Sequence, residues 1–400
     1  MPSSRLLHAV LVALVMSFSY DGRCQAGSDL IRVEVAPSPE TLNTFPTYME
    51  GFDYGVESVL KFDLEIQGFR FVPESEARFK LVGKEGSALG ATLYDLDVNP
   101  DAPIFDREFR ESTTRAQAHL LSDAVVESLT GMPGIGQTKI VFKAEQRKGY
   151  PEIYVADFDG GANIYQVTSD GSLVKSPKWG AGSDVIYYVS YYMQNPDIVQ
   201  HNLRTGRRRF VARYAGTNIS PAASPDGTKF AFAMSKFGNL ELCVADADGS
   251  NLRRLTRTRA AESSPTWSPD GSRLCYVGDS ARPSLNTISA MGGPSVPLRT
   301  AGVYNATEPA WSPDGSKIAF TTQAGGRFEL CVVPSEGGVA ERLDVEGEDP
   351  SWAPNSRTLV FARRAGRGVR SLYLLDLTTG MTKRIPLNHL GSCSEPYWGL

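Results

Sequence analysis

The sequence predicts a mainly β protein, a six-bladed β-propeller preceded by a small α+β domain. Three observations carry that prediction. A short segment rich in proline and tryptophan recurs six times at a nearly constant interval. The same succession of short apolar runs follows each full recurrence. The two ends of the repeating region each hold the part of a unit that the other lacks.

The recurring segments are KSPKWGAGS (175–183), ISPAASPDG (219–227), SSPTWSPDG (263–271), TEPAWSPDG (307–315), EDPSWAPNS (348–356) and SEPYW (394–398). Aligned, they place Trp179, Ala223, Trp267, Trp311, Trp352 and Trp398 in one slot, at steps of 44, 44, 44, 41 and 46 residues. All five tryptophans of the chain fall in that slot, which chance does not produce. After the Pro-Asp-Gly come three further runs, for example KFAFAM, ELCVADADG and NLRRLT. Proline presets φ, aspartate bonds its own backbone and glycine accepts φ > 0, so Pro-Asp-Gly is a turn. Four short strands in about 44 residues make a propeller blade. Residues 138–170 hold strands two to four of a blade, and SEPYW at the carboxyl end supplies its first strand. Pairing the two closes a ring of six blades over 137–400 and removes two exposed sheet edges.

The strand alternation also assigns faces. Turns 1–2 and 3–4 are tight and repetitive and lie on one side. Connections 2–3 and 4–1 vary and lie on the other, among them 213–220, 300–308 and 363–370. Function sits on variable loops carried by a rigid scaffold, so the second side is the expected binding face.

Ahead of the propeller, 38–136 does not repeat. Tyr54–Gly68 and Ser112–Thr130 carry apolar residues at helical spacing, with Gly131 and Pro133 ending the second. Phe69–Val72 and Ala91–Leu96 read as strands, which gives a small α+β domain. Residues 1–26 have the plan of a secretory signal: Arg5, an apolar run from Leu6 to Phe18, and small residues before a cleavage point after Ala26. An arm over 27–37 follows. Its alternating Leu30, Ile31, Val33 and Val35 suit an extended segment that adds to another protein's sheet edge.

Composition narrows the function. A net charge of −4 argues against a nucleic-acid partner. Export permits disulfides, yet Cys243 and Cys331 occupy the same position of two repeats that are not neighbours. Cys243, Cys275, Cys331 and Cys393 therefore read as buried thiols. No Gly-x-Ser-x-Gly, His-Glu-x-x-His or Cys-x-x-Cys is present in the sequence. His119 lies four residues before Asp123 on a helix, where a hydrogen-bonding histidine is a better reading than a catalytic pair. Asp157-x-Asp159-Gly160 and Asp246-x-Asp248-Gly249 lack the further ligands of a calcium loop and read as hairpin turns. Arg207, Arg208 and Arg209 read as a solvated edge strand. Arg363, Arg364, Arg367 and Arg370 share one loop of the variable face and suit an acidic partner surface. No catalytic residue, metal or cofactor is expected. The alternatives are a lyase- or lactonase-type propeller enzyme, for which Glu262, Glu308, Glu348, Asp349 and Glu395 offer axial acids, and a sugar- or peptidoglycan-binding propeller using Tyr191, Tyr192 and Tyr304.

The repeats SSPTWSPDGSRLCYV and TEPAWSPDGSKIAF, and the junction RAQAHLLSDAVVESLTGMPGIGQTKIVFKAE (115–145), resemble the TolB family of periplasmic proteins. The junction matches the family's helix with a histidine, an aspartate four later, and Leu-Thr-Gly before the first propeller strand. Asp63-Leu64 and Gly68-Phe69 resemble its first helix and exit. The resemblance implies a non-enzymatic, monomeric periplasmic scaffold of the Tol–Pal system, acting in outer-membrane invagination at cell division and in outer-membrane integrity. It implies a Pal-like peptidoglycan-associated lipoprotein bound at Thr217, Asn218, Ile219 and Ser220 and at Tyr304, Asn305 and Ala306. It also implies a TolA-like inner-membrane protein bound at Asp29, Leu30, Ile31, Arg32, Val33, Glu34 and Val35. The family often has histidine where Thr217 stands, and the region between Phe71 and Leu93 looks shortened.

Overall fold

Each repeat folds as a four-stranded antiparallel sheet, and one unit shows why. In the third blade Asn218–Ala223, Lys229–Met234, Glu241–Asp246 and Arg253–Arg254 pair in chain order. Its two central strands are buried along almost their whole length, because a blade is covered on both faces by its neighbours. Their sequences are accordingly near-continuous apolar runs and not strict alternations. The computed structural model describes residues 44–84, 88–161, 163–182, 184–366 and 368–399. The expected signal segment (1–26), the arm (27–37) with Asp29–Val35, and Arg367 lie outside the described residues.

Six such sheets form the propeller. The ring closes as the two half-units require: Ser392–Trp398 pairs antiparallel with Lys139–Arg147, setting Cys393 opposite Ala144 and Trp398 opposite Ile140. Tryptophan recurs because its indole reaches between blades. Trp267 Nε1 donates to the Ala222 carbonyl and Trp352 Nε1 to the Ala310 carbonyl of the preceding blade, each at 2.9 Å, while Trp398 Nε1 donates within its own blade to Thr138 Oγ1 at 2.8 Å. A large ring that also has its polar tip satisfied is a strong packing unit.

The Ser-Pro-Asp-Gly turns repeat atom by atom. The hydroxyls of Ser224, Ser268 and Ser312 donate to Asp226, Asp270 and Asp314 at 2.6 Å. The same aspartates accept the backbone N–H two residues on. These bonds hold the Asp270 carboxyl down to about 2. Gly271 takes φ +70°, a conformation any Cβ resists.

Among the described residues the four cysteines, Cys243, Cys275, Cys331 and Cys393, are free and buried. Burial pushes the thiols of Cys243, Cys275 and Cys393 up to about 12 and that of Cys331 to about 11. They pack as small apolar residues.

The α+β part has a five-stranded sheet in the order β2-β1-β3-β4-β5. Its strands are β1 (Phe45–Glu50), β2 (Phe69–Phe71), β3 (Phe79–Lys84), β4 (Leu89–Asp95) and β5 (Asn99–Phe109). Helix α1 (Tyr54–Glu65) crosses from β1 to the parallel β2. It begins at an N-cap in which Asp53 accepts from Val56 N. Helix α2 (Thr114–Thr130) ends on Gly131 at φ +70°. Both helices lie over one face of the sheet, through Val59, Leu60, Leu64, Leu121 and Val125.

Residues 39–400 form one compact unit, and the α+β part packs on the tight-turn side of the propeller. Ile66 and Ile135 join the core of the first and last blades. Lys383 bonds Glu65 at 2.6 Å and lies 4.3 Å from the Phe62 ring centroid. Gly68 sits against the Arg357 guanidinium, where a Cβ would come within 2.4 Å.

Candidate functional site

The first strand of every blade breaks at the same point. Ser176, Ser220, Ser264, Glu308, Asp349 and Glu395 all have φ between +50° and +56°, each precedes a proline, and the pairing register shifts there in all six blades. A bulge leaves one residue unpaired and re-aims its neighbours. Repeated six times around an axis, it lines a small cavity of about 80 Å³ with serine on three blades and acid on three.

The acids are engaged by the fold. Glu308 Oε2 accepts Asp349 N at 2.9 Å and the Thr321 hydroxyl at 2.7 Å. Glu395 Oε2 accepts Ser176 N at 2.6 Å, and its other oxygen pairs with Lys143. Each of these two glutamates thus caps the bulge of the next blade. Burial, then the charges of Glu308 and Glu395, hold Asp349 well above the usual carboxylate range. Lys178, which the sequence reading did not single out, supplies the cation. Burial lowers its pKa while Asp349, Glu395 and Glu308 oppose that. Of the five acids expected near the axis, Glu262 and Glu348 lie elsewhere. Glu262 is buried under Thr256 and Thr258, and Glu348 pairs with Arg370.

The partner-binding residues expected from the resemblance divide by exposure. Tyr304 is 70 % exposed, and Thr217, Ile219, Ser220 and Asn305 are half-buried. Asn218 is fully buried. Its side chain donates to the carbonyls of Tyr214 at 2.9 Å and Pro196 at 3.3 Å. Ala306 is buried in a cluster with Trp311 and Val303. These two side chains shape the loops from beneath and present nothing outward. Exposed Tyr192, Met193 and Phe237 lie on neighbouring loops of the same face.

On the tight-turn side, the turn prolines Pro225, Pro269, Pro313 and Pro354 and all five tryptophans surround a cavity of about 430 Å³.

A second cluster lies where α1, α2 and the first blade meet. His119 does not pair with Asp123. Its Nδ1 lies 2.7 Å from Asp63 Oδ2, to which Ser122 also donates at 3.0 Å. Its Nε2 faces Asp159 Oδ2 at 3.8 Å, and Arg115 binds the same carboxylate. Asp123 instead accepts Gly136 N at 2.6 Å and holds the chain entering the propeller. Burial pushes Asp63 up to about 6 against the His119 bond and charge. Burial also works against the His119 cation, but the Asp63 bond and the charges of Asp63 and Asp159 outweigh it and raise its pKa. Ligand atoms of Asp63, His119 and Asp159 lie within 4.8 Å of one another. Arg115 and His119 already supply these carboxylates with cationic partners, so the set reads as a charge cluster joining the two parts of the chain.

Residues 126–400 match the family model for the TolB beta propeller domain. The chain is 28% identical over 263 residues to the Tol-Pal system protein TolB of Rickettsia akari, covering 56% of this chain and 58% of that protein. It is 34% identical over 136 residues to the protein of the same name from Rickettsia bellii, covering 33% of this chain and 30% of that one. The matched stretches thus span 58% of the one curated relative and 30% of the other. The crystal structure of TolB from Acinetobacter baumannii superposes with a TM-score of 0.78 at 22% identity, covering 88% of this chain and 96% of that one, and shows the shared fold. Among the described residues no helix is long and apolar enough to cross a membrane. With the six closed blades and a family match over most of its length, the chain belongs to the TolB β-propeller family.

Proposed function

We propose that this protein is a non-enzymatic periplasmic scaffold of a Tol–Pal type envelope system. In this reading it binds a Pal-like peptidoglycan-associated lipoprotein through the variable-loop face and a TolA-like inner-membrane protein through the arm at 29–35. It serves outer-membrane invagination at division and outer-membrane integrity. The observation that carries the reading is the contrast between an axis whose glutamates are consumed as backbone caps and a loop face that exposes Tyr192, Met193, Phe237 and Tyr304. Aromatic side chains and methionine are enriched at protein interfaces, and in this reading Tyr304, exposed on that face, is the partner's anchor. The names of the Rickettsia relatives support the system to which it is assigned.

The test is a calorimetric titration with the soluble domain of the Pal-like protein from the same cell. Tyr304→Asp is expected to weaken binding at least tenfold, because an interface core tolerates unpaired charge badly. Removing residues 27–36 is expected to leave that binding intact and to abolish binding of a TolA-like domain. Pal-like binding unaffected at Tyr304, or TolA-like binding without the arm, contradicts the corresponding half.

A further inference from the structure

The two sides of the propeller treat their cations differently. On the tight-turn side most cations pair with acids, Lys139 with Asp157, Lys229 with Asp246, Arg273 with Glu336 and Arg357 with Asp376, while Lys317 is exposed without an ion-pair partner among the described residues. On the variable-loop side, Lys148, Lys236, Arg259, Arg282, Arg327 and Arg364 are exposed. Among the described residues none of these six has an ion-pair partner. Lys236 and Arg364 rest only on aromatic rings, Tyr214 at 5.3 Å and Phe328 at 5.8 Å. They come from five of the six blades or the links between them, so they ring the face. Exposed acids in the same loops are fewer, Asp279 and Asp344. Other acids of this side are turned inward or neutralised, as with Asp197 beside Arg213 and Glu348 beside Arg370. The chain as a whole is acidic, at −4, so this basic rim runs against the overall charge.

We propose that the variable-loop face is built for the acidic surface of a folded protein. This deepens the functional reading given above and rests on it, by naming the charge that the partner must present. A ring of unpaired, solvated cations raises the encounter rate with an anionic surface and fixes its orientation. Two features favour a protein over an anionic membrane. The rim is interrupted by Tyr192 and Met193 on the second blade and interleaved with Phe237 and Tyr304, the mixture of aromatic anchors and basic groups found at protein interfaces. Its centre is a recessed pit in which Lys143 and Lys178 lie among Glu308, Asp349 and Glu395, a concave surface of mixed charge that a flat layer of anionic headgroups does not fill. A partner with acids around a polar projection matches both zones.

The experiment measures association and dissociation of the Pal-like soluble domain with the full chain. It compares wild type, the charge-reversal variant Lys236→Glu/Arg259→Glu/Arg282→Glu/Arg327→Glu, and Tyr304→Asp, at low salt and at about 1 M, where the screening length falls to about 3 Å. These rim side chains are exposed, and circular dichroism checks that the variant keeps the wild-type fold. The expected result is an association rate at least tenfold lower for the charge-reversal variant and for wild type in high salt, with dissociation changed far less. Binding that Tyr304→Asp weakens but that neither salt nor charge reversal alters overturns the charge proposal and leaves the binding face standing. No binding in any arm overturns the reading of the face and this inference with it. Phosphatidylglycerol–phosphatidylethanolamine vesicles that bind wild type and release the charge-reversal variant, without any effect of those changes on the Pal-like domain, assign the rim to the membrane and overturn it too.

Discussion

The tight-turn side and the variable-loop side of the propeller are built from the same six strands-and-turns units, yet they have been shaped by different demands. On the tight-turn side Ser-Pro-Asp-Gly recurs with the same internal bonds, most cations are paired, and the α+β part packs against the first and last blades. On the loop side no two connections are alike, aromatic side chains are exposed and the cations of the rim stand alone. The comparison separates residues that hold the ring together from residues that have no structural task there. It teaches that repetition marks structure and irregularity marks recognition, because a turn that must only reverse the chain has few good solutions.

The largest effect is expected from the element that serves both sides, the closing strand. Deleting Ser392–Leu400 removes Trp398, which stacks on Phe158, together with buried Cys393. It also leaves Lys139–Arg147 as an open sheet edge. The truncated chain is expected to lose its cooperative thermal transition and to aggregate or be digested. A monomeric, equally stable product in size-exclusion and melting experiments would break the closure argument.

A smaller effect is expected at the contact between the α+β part and the tight-turn side, and it depends on pH. Asp63 and His119 both bind their protons more tightly in the folded chain. Groups with raised folded-state pKa values contribute stability below their unfolded values and lose it as pH rises through the raised ones. For Asp63 the loss runs from roughly pH 4 to about 6; for His119 it continues above about 6.5. Asp63→Asn is therefore expected to flatten the decline of the melting temperature between acid and neutral pH relative to wild type. Parallel curves would show that this cluster does not couple protonation to the docking of the two parts.

The smallest effect sharpens the comparison of faces. Gly271→Ala forces a Cβ onto a residue at φ +70° and is expected to cost roughly 1–2 kcal/mol of stability. Partner affinity of the folded protein should stay as it was.

Much of this was legible beforehand, for reasons that particular residues make plain. The slot holding Trp179, Trp267, Trp311, Trp352 and Trp398 exposed the blades because each indole packs into a cluster shared by two neighbouring blades. The α+β part had no repetition to help. β5 was hidden by Pro100 and Pro103, which suit an edge strand whose residues are mostly exposed. β3 fills the stretch between Phe71 and Leu93 that had looked shortened. The partner of His119 was missed as well: Asp63, on another helix and 56 residues away, and not its helical neighbour Asp123. Lys178 gave no signal, since a lysine before the recurring tryptophan looks like any surface lysine until six bulges bring three acids around it. Asn218 and Ala306 share loops with exposed residues, and only the packing shows that they point inward.

The measurement that bears most directly on the account compares one change on each side. Affinity for the Pal-like soluble domain and melting temperature are determined together for wild type, Tyr304→Asp and Gly271→Ala. The account predicts that Tyr304→Asp lowers affinity at least tenfold with the melting temperature nearly unchanged, while Gly271→Ala lowers the melting temperature and leaves affinity as it was. Loss of affinity on changing the tight-turn glycine, with Tyr304→Asp binding as wild type does, would place recognition on the opposite side and contradict it.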